Sequence, residues 1–190
     1  DSKMKGIGKL LLDKGIIEED DIQIYLYGIK GGITIIVNIL TTLLIGWITG
    51  KMLEVIIFSL FLASLRSYSG GYHCSTKVGC FWLSSVVTAI SAFSEELITL
   101  LPILVSYAVW IIAILVIYAL SPLESKNKKL DSDEIRYYKK NSHCILTIQI
   151  CIICSMYILE VRNMAYAAGL STVVIAFSLV CGKWIHIKKD

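Results

Sequence analysis

His73 and Cys80 stand seven residues apart in the stretch Arg66-Ser-Tyr-Ser-Gly-Gly-Tyr-His-Cys-Ser-Thr-Lys-Val-Gly-Cys80. A cysteine is a strong nucleophile only as thiolate, and a neighbouring imidazole can take its proton. Seven steps of ~100° return nearly to one helical face, yet a straight helix would hold the two Cα atoms ~10.5 Å apart along its axis. A direct hydrogen bond therefore requires a bend between them, which Gly79 permits just before Cys80. The spacing predicts His73 in or beside a loop and Cys80 in the first turn of a helix, where the positive end of the dipole favours an anion. Cys74 is a rival nucleophile, but on a helix it points ~100° away from His73, so Cys80 is preferred. Ser84 shares the helical face of Cys80 and is the candidate supporting group. Two other readings stand beside this one. His73 and Cys80 could simply satisfy packing, or zinc could be held by His73, Cys74, Cys80 and a distant ligand, although the spacing fits no compact zinc motif. Cys151 and Cys154 have CxxC spacing but lie in an apolar run, where cysteine acts as a small hydrophobe.

The elements that must position these residues are membrane spans. Of 190 residues, 56% are hydrophobic and 17% charged, against roughly 25% charged in soluble domains. One soluble core of this size could not hide so much apolar surface. About 20 apolar residues cross a ~30 Å hydrocarbon layer. Six runs qualify, at about 32–49, 52–65, 80–98, 101–120, 144–159 and 164–181. The expected fold is thus an all-α polytopic membrane protein, with residues 1–190 as a single membrane domain. Six crossings put both termini on one side. With the N-terminus cytoplasmic, all 18 Lys and Arg residues except Lys51 and Arg162 fall inside, as the positive-inside rule demands. Met4, Ile7, Leu10 and Leu11 alternate with lysines at helical spacing, which predicts an amphipathic interfacial helix within residues 1–21. No secretory signal is expected, since the first strong apolar run begins near residue 32.

In this topology residues 66–80 lie at the cytoplasmic leaflet. Gly70-Gly71 breaks regular structure, and irregular polar backbone at membrane depth is tolerated only where protein or a water-filled cavity covers it. The stretch should line a polar pocket. The basic loop at 121–142 follows Pro122, which should end the fourth span. Its Lys126, Lys128 and Lys129 could serve retention inside and attraction to anionic lipid, or dock an acidic segment of a peptide substrate. Glu54, Glu95 and Glu96 fall near the outer ends of spans, where solvation suffices. Nothing marks a nucleic-acid binder, as no basic stripe carries interleaved stacking aromatics.

Arg66-x6-His73-x6-Cys80, with Gly70-Gly71 before the histidine and Pro122, Lys126 and Asn127 after the fourth span, resembles the accessory gene regulator protein B (AgrB) family. The resemblance covers nearly the whole chain, and its specific part is residues 66–80. It implies a Gram-positive cell-membrane cysteine endopeptidase of peptide quorum sensing, with Cys80 as nucleophile, His73 as base, and Arg66, Gly70 and Gly71 as motif positions. Cys74 departs from the pattern, where the family more often has a small residue such as alanine. The implied substrate is an AgrD-type propeptide on the lipid bilayer, cleaved through a thioester and released as a thiolactone. No metal or organic cofactor is implied, and a homodimer is. The competing functions are a non-enzymatic transporter or scaffold with a polar inner-leaflet pocket, and a thiol redox protein built on Cys151 and Cys154.

Overall fold

A computed structural model describes Leu12, Gly15 and residues 21–72, 76–123 and 130–187. Most of the expected interfacial helix, together with His73, Cys74, Lys126, Asn127, Lys128 and Lys129, lies outside the described residues. The described chain is helical: α1 (Ile22–Thr49), α2 (Met52–Ser69), α3 (Lys77–Ser91), α4 (Ser94–Thr99), α5 (Ile103–Leu120), α6 (Ser132–Ile158) and α7 (Arg162–Ile187). Contacts divide it into two compact units, residues 1–41 and 42–190. In the first unit, α1 exposes Ile33, Ile35, Ile36 and Ile39, a surface suited to acyl chains. Five helices, α1, α2, α5, α6 and α7, are long and apolar enough to cross a membrane. The protein is a polytopic all-α membrane protein.

Within the second unit the helix ends meet in two groups. At one end, Lys51 pairs with Glu96, Ser106 reaches the Ile98 carbonyl, and the rings of Tyr107, Tyr157 and Tyr166 pack in series. At the other, Ser121 bonds Ser142, His143 stacks on Tyr118, and Tyr72 meets Ser178. Successive passes therefore alternate in direction. Arg66, Arg136, Lys139, Lys140 and Lys183 lie toward the Tyr72 end, and Lys51 and Arg162 toward the opposite one.

The third expected span, 80–98, is not one helix. α3 has 15 residues, about 22 Å of rise and short of a full crossing. It stops where Ala92 and Phe93 turn back to the carbonyls of Ala89 and Ile90. The buried hydroxyls of Ser91 and Ser94 flank this break, and α4 then carries Glu96 to Lys51. The expected basic loop, 121–142, is also partly helical, because α6 begins at Ser132. Asp131 and Glu134 form a reciprocal capping box there, satisfying amide groups that a helix start leaves open.

α7 is the central helix. Half of its most apolar window is buried, and it packs against α2, α3, α4, α5 and α6. Its buried Ala165, Ala168, Ser171, Thr172 and Ala176 let neighbouring backbones approach closely, the usual basis of helix association in lipid. Leu65, Ile117, Leu146, Ile175 and Leu179 close the core between α2, α5, α6 and α7.

Candidate active site

That core lies directly beneath the Gly-Gly segment. α2 ends at Ser69, and Gly70 takes φ 73°, ψ −150°, a conformation essentially reserved for glycine. Its N–H closes on the Arg66 carbonyl at 3.1 Å. The chain then runs extended beside residues 121–123. Leu123 N–H donates to the Ser69 carbonyl at 2.9 Å, and Gly70 and Leu123 pair as an isolated parallel bridge. A Cβ at Gly70 would come within 2.4 Å of the Leu123 carbonyl oxygen.

Tyr72, the residue before His73, is held from α7. Its N–H reaches both the carbonyl of Ser178, at 3.1 Å, and the hydroxyl of Ser178, at 3.0 Å. Arg66 completes the hold by donating to the Tyr72 carbonyl and to Ser178 Oγ at 3.3 Å. A guanidinium suits this bridge because its rigid fork offers donors in two directions. Tyr72 thus has both backbone polar groups bonded, as an irregular segment at membrane depth requires.

Cys80 lies in the first turn of α3 and is half-buried with a free thiol. Gly79 makes no bend, and among the described residues the helix start falls at Thr76. Thr76 is extended, at φ −122°, ψ 144°, and its hydroxyl accepts the Gly79 N–H at 3.1 Å. Gly79 is already helical, so the helix begins one residue after the cap. Cys80 N–H bonds the Thr76 carbonyl at 3.1 Å. Ser84 follows one turn later, and its hydroxyl donates to the Phe81 carbonyl at 3.0 Å.

Of the sequence-derived residues, the structure brings together Arg66, Gly70 and Gly71, and places Cys80 and Ser84 along α3. The supporting residues that sequence reasoning missed are Ser178, Gly182 and Leu123. Their only signal is a serine and a glycine four apart in an otherwise apolar run. Cys151 and Cys154 are free thiols on the exposed surface of α6. Among the described residues no three His, Cys, Asp or Glu side chains are grouped to hold a metal, and the zinc alternative rests on His73 and Cys74 outside them.

The sequence model for accessory gene regulator B matches residues 4–181. A putative AgrB-like protein 2 of Clostridium perfringens (strain 13 / Type A) is 25% identical over 160 residues, which cover 78% of this chain and 75% of that protein. A putative AgrB-like protein of Clostridium perfringens (strain SM101 / Type A) is 25% identical over 137 residues, 68% of this chain and 64% of that one. No solved structure matches significantly. The match runs through α1 to α7 and includes the whole stretch from Arg66 to Cys80, so the chain belongs to the accessory gene regulator B family.

Proposed function

We propose that this protein is a membrane-embedded cysteine endopeptidase that processes an AgrD-type propeptide at the cytoplasmic leaflet. The observation that carries this reading is the placement of Cys80, half-buried in the first turn of α3. Helix starts favour anions, and the fixed Tyr72 leads directly to the only histidine of the motif. Family membership supplies the role in quorum sensing.

In this mechanism His73 takes the proton of Cys80, and the thiolate attacks a propeptide carbonyl carbon. The carbon–nitrogen bond breaks, the leaving amine takes the proton from His73, and a thioester remains on Cys80. A cysteine thiol of the bound peptide then attacks the thioester. The carbon–sulfur bond to Cys80 breaks, the thiol of Cys80 is restored, and the peptide leaves as a thiolactone. Thioester exchange is nearly energy-neutral, so ring closure depends on proximity and exclusion of water. Lys126, Lys128 and Lys129 are proposed to hold acidic residues of the propeptide, and Arg66, Gly70, Gly71 and Ser84 to support the site.

The test uses the full chain in liposomes with a matching propeptide. Cys80→Ala and His73→Ala should abolish cleavage, while Cys74→Ala should retain it. Cleavage surviving loss of Cys80 would sink the assignment, and an acyl-enzyme mapped by mass spectrometry to Cys74 would move the nucleophile.

A further inference from the structure

Ser178 and Gly182 lie one helical turn apart on α7 and together form a notch that receives the motif backbone. Ser178 accepts the Tyr72 N–H on its hydroxyl and its carbonyl, and the Arg66 guanidinium on its hydroxyl. Gly182 is buried, and a Cβ there would stand 2.4 Å from Leu123 Cδ2, 3.2 Å from Tyr72 N and 3.5 Å from the Gly71 carbonyl carbon. The fit is reciprocal, since a Cβ at Gly71 would stand 2.7 Å from Ser178 Oγ. Glycine on both sides lets extended backbone lie directly on the helix.

We propose that Ser178 is a positioning residue of the peptidase, acting through Tyr72 on His73, with Gly182 as the gap that admits the segment. This rests on the cysteine-peptidase reading above. Tyr72 and His73 are consecutive in sequence, so the residue that Ser178 holds is the one immediately before the proposed base. Ser178 bonds both the Tyr72 N–H and the motif arginine, and that arginine in turn bonds the Tyr72 carbonyl.

The experiment follows alkylation of Cys80 by iodoacetamide across pH in the full-length protein, with the Cys80 peptide quantified by mass spectrometry. Wild type should react at neutral pH because His73 removes the proton, and His73→Ala defines the unassisted profile. Ser178→Ala should slow neutral-pH alkylation by about tenfold, short of the ~10²-fold that a 1 Å misplacement can cost. It should shift the profile toward that of His73→Ala while leaving the rate at high pH unchanged. Ser178→Thr, which keeps the hydroxyl, should restore the wild-type profile, and Arg66→Gln should shift it as Ser178→Ala does. A Ser178→Ala profile matching wild type, or one lowered equally at every pH, overturns the positioning role and leaves the peptidase reading standing. A wild-type profile in His73→Ala overturns the peptidase reading itself.

Discussion

The side-chain amide of Gln149 on α6 donates to the hydroxyl of Ser64 on α2 at 3.0 Å and to the nearby Phe61 carbonyl at 2.8 Å. This polar tie lies inside the apolar bundle, and Gln149 is almost fully buried. Its Oε1 has no partner, which offsets part of the gain. Interhelical hydrogen bonds in membranes contribute about 0.6 kcal/mol on average. Gln149→Leu is therefore expected to cost about 1 kcal/mol or less. Gln149→Ala, which also leaves a cavity, should cost about 2 kcal/mol or more. Reversible unfolding in mixed micelles checks the order, and an equal loss in both variants would contradict it.

Glycines of the bundle should respond unequally to alanine. At Gly70 the backbone needs φ 73° and a Cβ would meet backbone oxygen, so Gly70→Ala should lose about 1–3 kcal/mol to strain alone and, on the proposed peptidase function, most of the propeptide cleavage. Gly169 is different, because its Cβ would reach only ordinary contact, 3.8 Å from Trp110 Nε1. Gly169→Ala should fold as well as wild type, helped by up to ~1 kcal/mol of helix propensity. Melting temperature and cleavage rate, measured side by side, decide both.

Glu96 pairs with Lys51 at the end of the bundle away from Tyr72. An exposed ion pair adds a small increment of stability while both side chains are charged. Exposure and salt keep it small. Glu96→Gln should melt slightly below wild type at neutral pH, and the two should melt together in acid once Glu96 is protonated. Added salt should narrow the neutral-pH difference.

Asp131 accepts the Ser132 N–H at 2.7 Å, and Glu134 reaches back to the Asp131 N–H at 3.2 Å. Asp131→Ala should cost about 1 kcal/mol and fray the basic first turns of α6. Faster amide hydrogen exchange over residues 132–136, with the apolar half of α6 unchanged, is the expected result.

Much of the fold was legible because lipid makes a simple demand on sequence. Runs such as 101–120 can only be helices, and among the described residues of the second unit Arg66, Arg136, Lys139, Lys140 and Lys183 gather toward one end and Lys51 and Arg162 toward the other. Residues 80–98 misled because apolar content does not report a helix break. Ser91 and Ser94 are buried at the junction of α3 and α4, and nothing in the apolar run around them marks the break. The start of α6 was hidden by its charge, although Asp131-x-x-Glu134 is a capping signature. At the site, Gly70-Gly71 was legible as a break in regular structure, and Arg66 through the resemblance to the family motif. Ser178 was not, since its contact to Tyr72 spans 106 positions and serine in an apolar helix usually bonds its own turn.

The strap between Arg66 and Ser178 joins residues 112 positions apart. During synthesis, α7 emerges long after the motif and is inserted after it. A nascent chain that already displays Cys80 therefore lacks the helix on which Tyr72 is seated. The last helix to be inserted thus completes the seat of the Gly-Gly segment, so the geometry between Arg66 and Tyr72 exists only once the bundle is whole.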